Sequence, residues 1–201
     1  MLIKFYALVV GFAVLFFTGV NVAAQTTTKD VFRMKFETEI HDIVKDFDGA
    51  IGLSLKDLTT GESFSVNGDV VFTQASTIKL QILVELLKQV NEGRFSLDDS
   101  ITMTESDLTV GSGVLRYLTP DAVIMTISDV ATLMIIASDN TATNMMIDMV
   151  GMENVNRTMQ ELGFTETKLQ RKMMDTLAWK EGRENLSTPH EVTRLLEMIY
   201  E

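Results

Sequence analysis

Residues 72–79, Phe72-Thr73-Gln74-Ala75-Ser76-Thr77-Ile78-Lys79, run straight into the apolar stretch Leu80-Gln81-Ile82-Leu83-Val84-Glu85-Leu86-Leu87-Lys88-Gln89-Val90. The first half reads as the end of a strand and a turn. The second, over 77–90, is apolar on most faces, which predicts a buried helix rather than a surface one. Ser76-Thr77-Ile78-Lys79 is an S-x-x-K sequence placed where that helix begins. Positions i and i+3 share a face of a helix, so the Lys79 amine is expected within reach of the Ser76 hydroxyl. The positive end of the helix favours negative charge developing on Ser76, and together with burial it lowers the proton affinity of a nearby amine. A lysine held partly neutral near pH 7 can then serve as general base to a serine nucleophile. By itself the pair also reads as a plain N-cap serine followed by a solvated lysine, so its neighbours must decide.

Upstream, residues 30–47 place Val31, Phe32, Phe36, Ile40, Ile43, Val44 and Phe47 at helical spacing, and His41 lies off that stripe as a solvated residue. Ile51, Leu53 and Leu55 alternate with small or polar residues, Asp57 to Gly61 is turn chemistry, and Phe64 and Val66 resume the alternation. A β-hairpin is predicted, with Asn67-Gly68-Asp69 as a second turn before Val70-Val71-Phe72.

Downstream, residues 91–120 read as turns and short segments, with Gly111-Ser112-Gly113 as a flexible point. Thr126 with Asp129 forms a capping-box pattern opening a helix that runs to Ala137. Ser138-Asp139-Asn140 interrupts, and further helices follow over 142–150 and 152–162, the latter closed by Gly163. Taken alone, the triplet is an Asx-type turn in which Asn140 caps the next helix. Residues 165–187 lack periodicity and read as a long surface loop. Thr188, Pro189 and Glu191 are cap, first-turn proline and N3 acid of a last helix, on which His190 takes the N2 place.

Composition narrows the chemistry. Of 201 residues, Lys+Arg number 17 against 28 Asp+Glu, a formal charge of −11, which argues against nucleic-acid or anionic-membrane partners. The absence of Cys removes disulfides, thiolate metal sites and Cys nucleophiles, and two His are too few for a multi-His metal centre. No metal and no cofactor are expected; Ser, Lys, Asp, Glu and Asn carry the chemistry. The thirteen Met are read as helix-core filler.

Strand, then S-x-x-K opening a buried helix, then S-D-N between two helices is an order that resembles the class A β-lactamases and penicillin-binding proteins. The hairpin Ala50 to Glu62, the lead-in Phe72 to Lys79, Ser138 to Asn144, Thr167 to Arg171 and Ser187 to Glu191 all look like their family counterparts. The resemblance implies an α+β fold of the β-lactamase/transpeptidase type, an antiparallel sheet covered by helices in an α-β-α sandwich, with a helical lobe presenting S-D-N opposite the nucleophile. It implies Ser76 as the acylated nucleophile and Lys79 as proton acceptor. Ser138 would be the hydroxyl that protonates the departing ring nitrogen, Asn140 the holder of the substrate amide, and the Ser76 amide one oxyanion donor. The substrate implied is a small-molecule β-lactam, opened at its amide by a monomeric enzyme.

Two departures stand against it. The family's deacylating Glu in E-x-x-L-N corresponds to Met173 in Arg171-Lys172-Met173-Met174-Asp175-Thr176-Leu177, and a thioether accepts no proton. Asp175, Glu181 or Glu184 replaces it only if the loop runs differently. The K-T-G element is absent because the chain stops inside its last helix, so the sequence reads as the N-terminal two-thirds of the domain, its later strands missing. Such a chain is a hydrolase, a slowly deacylating penicillin-binding or DD-peptidase-like protein, or a non-catalytic remnant. Residues 1–24 combine Lys4, an apolar run from Phe5 to Phe17 and small residues before Gln25. That run is short of the ~20 residues needed to span a bilayer, so it predicts a cleaved signal peptide, residues 25–201 as catalytic domain, no lasting membrane anchor and a secreted or periplasmic location.

Overall fold

The computed structural model describes residues 27–201, so the leader read over 1–24 lies outside the described residues. Two compact units divide between Gly49 and Ala50. The first contributes helix α1, Thr28–Asp46. It begins two residues earlier than the apolar spacing predicts because Thr27 and Asp30 cap each other's backbone amides. None of its residues is buried, and Val31, Phe32 and Ile43 stand exposed. His41 is exposed as well.

In the second unit, strands β1 (Leu53–Lys56) and β2 (Ser63–Val66) form the predicted hairpin, Leu53 opposite Val66 and Lys56 opposite Ser63. Its turn is built by Asp57, whose side chain accepts from Thr59 N at 2.8 Å and Thr60 N at 3.2 Å. Strand β3 (Phe72–Thr73) leads through a 3₁₀ turn, Ser76–Ile78, into helix α2, Lys79–Asn91. Strands β4 (Ser100–Thr102) and β5 (Ile124–Thr126) follow, then helices α3 (Ile127–Ile136), α4 (Asn140–Val150), α5 (Met152–Glu161) and α6 (Thr176–Lys180), strand β6 (Leu186–Ser187) and helix α7 (Pro189–Tyr200).

Helices α2, α3 and α4 enclose the core. Ile78, Ile82 and Leu86 meet Val130 and Met134, with Ala142, Met146 and Val150 completing it. Each such side chain contributes about 1.5–3 kcal/mol by leaving water. Met134, Met145, Met146 and Met159 are buried as core filler, whereas Met34, Met174 and Met198 are exposed and do not fit that reading. Helix α2 buries less apolar surface than its composition predicts, since Lys79, Gln81, Glu85 and Gln89 are buried on it. These polar groups are satisfied locally: the Glu85 carboxylate accepts from Gln89 Nε2 and from Thr158 Oγ1, each at 2.5 Å, and Gln89 also donates to Val150 O at 2.8 Å.

In place of one antiparallel sheet, the described residues form three separate two-stranded antiparallel sheets, β1–β2, β3–β6 and β4–β5. Helix α7 covers the hairpin: Thr193 Oγ1 donates to Ser54 O at 3.1 Å and Lys56 pairs with Glu197. Two segments are more regular than their sequences suggest. The stretch read as turns, 91–120, contains β4, and the loop 165–187 contains α6 and β6. Elements of two to five residues are too short for a hydrophobic period to register.

Candidate functional site

Ser76 lies in the 3₁₀ turn before α2 and is solvent-exposed, while Lys79, first residue of the helix proper, is only 2% exposed. Opposite them stands the loop between α3 and α4. Helix α3 stops at Ile136, and Ser138 takes a left-handed conformation, φ 49°. A serine rarely adopts it. Here the turn points both the carbonyl and the hydroxyl of Ser138 at Lys79, whose Nζ donates to Ser138 O at 2.6 Å and to Ser138 Oγ at 2.9 Å. A third Lys79 bond goes to Asn140 Oδ1 at 3.1 Å. The Ser138 hydroxyl then donates to Ser76 Oγ at 2.7 Å.

The sequence places Lys79 within reach of Ser76. In the structure all three Lys79 bonds go across to Ser138 and Asn140, and Ser138 stands between the two. The left-handed turn explains the difference, because it presents two strong acceptors to a buried ammonium. Burial pushes the Lys79 ammonium down from 10.5 to about 8, and the Asp139 carboxylate opposes that shift.

The middle residue of the triplet has another task. Asp139, 1% exposed, caps α4 through Ala142 N at 3.0 Å, and its other oxygen accepts from Val114 N at 2.6 Å and Leu115 N at 2.8 Å. The cap is thus Asp139 and not Asn140, which the sequence alone allowed. That frees Asn140, whose Nδ2 donates to Val110 O at 3.1 Å. Gly111 makes room for it: a Cβ there would lie 2.6 Å from Asn140 Nδ2, and the residue sits at φ +99°. An open cleft of about 350 Å³ flanks Ala75 and Thr77 and is lined by Phe72, Val192 and Leu196.

A family model described as the β-lactamase enzyme family matches residues 35–201. The chain belongs to that family. It is 27% identical to the β-lactamase CARB-3 of Pseudomonas aeruginosa over 165 residues, 81% of this chain and 57% of that protein. A β-lactamase from Sphaerobacter thermophilus superposes with a TM-score of 0.76 at 33% identity, covering 82% of this chain and 61% of its own. The structure of PBP-A gives 0.74 at 34% identity, with 83% and 61% covered. The chain therefore spans less than two-thirds of the length of these relatives. The α+β fold read from the sequence is the fold of these neighbours.

Within this β-lactamase-family frame, the loop after α5 holds Met173 by its backbone. Met173 N donates to Asn144 Oδ1 at 2.8 Å, and Asn144 Nδ2 returns to Met173 O at 3.2 Å. The Met173 side chain packs against the helical core. Each of the three loop acids has a partner of its own. Asp175 caps α6 through Ala178 N at 2.9 Å, Glu184 pairs with Arg171 at 2.9 Å and Glu181 pairs with Arg183. His190 binds Asp69 Oδ1 through Nδ1 at 2.8 Å, away from the serines. Sequence reasoning missed Asn144. Its position one helical turn after Asn140, on the same face of α4, was the available signal.

Proposed function

We propose that the site opens β-lactams by transfer of the acyl group to Ser76. The observation that carries this reading is the unbroken hydrogen-bonded line from Lys79 through Ser138 to Ser76. With Lys79 as the neutral amine the donors along this line turn round, so that as Ser76 Oγ attacks the lactam carbonyl carbon its proton passes to Ser138 while the Ser138 proton passes to Lys79. The Ser76 amide stabilises the oxyanion. When the carbon–nitrogen bond breaks, Ser138 protonates the departing nitrogen and is reprotonated by Lys79, leaving an ester on Ser76. Asn140 holds Lys79 through its Oδ1 and Val110 O through one Nδ2 hydrogen, leaving the second Nδ2 hydrogen for the substrate side chain. Water hydrolysing the ester would complete a serine β-lactamase cycle.

A second reading has its own support. Met173 stands where a base for that water is expected and is tied down by Asn144, while the loop's Asp175, Glu181 and Glu184 are engaged with Ala178 N, Arg183 and Arg171. On this reading the protein is a slowly deacylating penicillin-binding protein, and a single-residue variant of the similar PBP-A is known as an acyl-enzyme complex with penicillin G. Intact-mass measurement with penicillin alongside a chromogenic cephalosporin separates the cases. Continuous colour means hydrolysis, while one equivalent of colour and a persistent adduct mean slow deacylation. No adduct, or an adduct retained in Ser76→Ala, would sink both.

Export through the leader at 1–24 is part of the proposal, with the mature protein acting as a monomer outside the cytosol. No described helix is long and apolar enough to cross a membrane. Appearance of Gln25 as the new N-terminus after expression in a bacterial host checks the cleavage.

A further inference from the structure

Between β3 and the Ser76 turn lies a buried polar chain that the reaction does not use. Gln74, two residues before Ser76, is 8% exposed; Gln81 on α2 and Asn185 at the end of the long loop are each 1% exposed. Gln74 N donates to Asn185 O at 2.6 Å, and Gln74 Nε2 donates to Leu186 O at 2.8 Å. Asn185 in turn grips the start of the loop: its Oδ1 accepts from Gln170 N at 2.8 Å and Arg171 N at 3.1 Å, and its Nδ2 donates to Arg171 O at 3.1 Å. On its other side, the Gln74 carboxamide lies 3.2 Å from that of Gln81. In the opposite amide orientation Gln81 instead donates to Thr77 O at 2.9 Å and Ile78 O at 2.8 Å, carbonyls of the turn that carries Ser76, and then makes no bond to Gln74; the link from the loop to Ser76 therefore runs through Gln74 alone.

Polar side chains this deeply buried are costly unless every group is paired, and apolar residues would fill the same space at less cost. What the chain achieves is a connection. The two ends of the Met173 loop, at Arg171 and Asn185, are joined through Gln74 to the peptide leading into Ser76.

We infer that Gln74 and Asn185 are positioning residues that hold the Ser76 turn in register with the Met173 loop, so that the nucleophile and the segment above it move as one body. This rests on the reading of Ser76 as nucleophile, and its consequence is kinetic. Loss of the link lets the Ser76 oxygen and amide drift from the line set by Ser138, and displacements of this kind slow a positioned reaction steeply.

The test compares Gln74→Met with Gln89→Met in the full chain. Both remove a buried carboxamide beside α2, but Gln89 bonds Glu85 and Val150 and has no contact with the loop. Amide hydrogen exchange read by mass spectrometry is expected to quicken in Gln74→Met over both residues 76–78 and 171–184, and over neither in Gln89→Met. Fluorescent-penicillin labelling should slow about tenfold in Gln74→Met, with the midpoint of its pH profile unmoved because Lys79 is untouched. Gln74→Asn, one methylene short of Leu186 O, should give the same pattern in smaller measure and serves if the first variant does not fold. Unchanged exchange in either segment, or the same change in Gln89→Met, overturns the link. If the parent chain is not labelled at all, the nucleophile reading fails, and the exchange comparison still decides whether the two segments are coupled.

Discussion

The Ser138 hydroxyl sits 2.7 Å from the Ser76 hydroxyl, and it is through Ser138 that Lys79 reaches the nucleophile. Ser138 is therefore placed to act twice, taking the proton forward when Ser76 attacks and giving it back when the leaving nitrogen departs. The arrangement depends on the left-handed backbone at Ser138, φ 49°, which brings the carbonyl and the hydroxyl to the same ammonium.

Removing the hydroxyl separates these roles. Ser138→Ala keeps the carbonyl that holds Lys79 and breaks the line to Ser76, so penicillin labelling should fall by about a hundredfold or more. The urea midpoint should stay close to that of the parent, which distinguishes lost chemistry from lost structure. Labelling at the parental rate would mean that protons reach Lys79 another way.

Acylation should also follow the charge on Lys79. Burial brings its ammonium down to about 8, so below that value only a minority of molecules hold the free amine. The labelling rate is expected to rise about tenfold per pH unit on the acid side and to level off above 8. A profile flat from pH 6 to pH 9 would remove Lys79 from the role of base.

The same group leaves a mark on stability. Its folded value of about 8 lies below the ordinary 10.5, so between the two the unfolded chain binds a proton that the folded chain does not. Stability contributed by this site therefore rises as pH climbs through that window, and below it the full cost of the buried ammonium is present. Lys79→Met should be more stable than the parent at pH 7, by about 1 kcal/mol or more, and the gap should close by pH 10. Denaturant unfolding at the two pH values checks the sign.

Gly111 gives a steric test of Asn140. An alanine Cβ would stand 2.6 Å from Asn140 Nδ2 on a backbone at φ +99°, so Gly111→Ala must push the amide aside. Labelling should weaken through a higher half-saturating penicillin concentration more than through a lower limiting rate, as expected for a residue that holds substrate. An unchanged concentration dependence would place the substrate elsewhere.

Much of this was legible in the chain. Capping patterns at Thr126 and Thr188, the hairpin at 53–66 and the S-x-x-K opening of α2 are local signals, and the structure carries each of them. Ser76, Lys79, Ser138 and Asn140 come together as the motif order implies. What the sequence hid depends on distant partners. The ladders β3–β6 and β4–β5 pair two or three residues across long separations, and neither Gln74 nor Asn185 announces its partner. The direct Lys79–Ser76 contact expected from helical spacing gave way because a loop some sixty positions along the chain offers the ammonium better acceptors.

Asp139 has a consequence for inheritance. One carboxylate opens helix α4 and fastens the backbone at Val114 and Leu115, while its two neighbours in the chain face the reaction centre. Random changes in this triplet should therefore give two kinds of allele. Those at 138 and 140 should accumulate as abundant, inert protein, whereas those at 139 should be heat-sensitive and recovered by second-site changes that firm up the helical lobe. A selection for suppressors would sort three adjacent codons into two classes without a single assay of the chemistry.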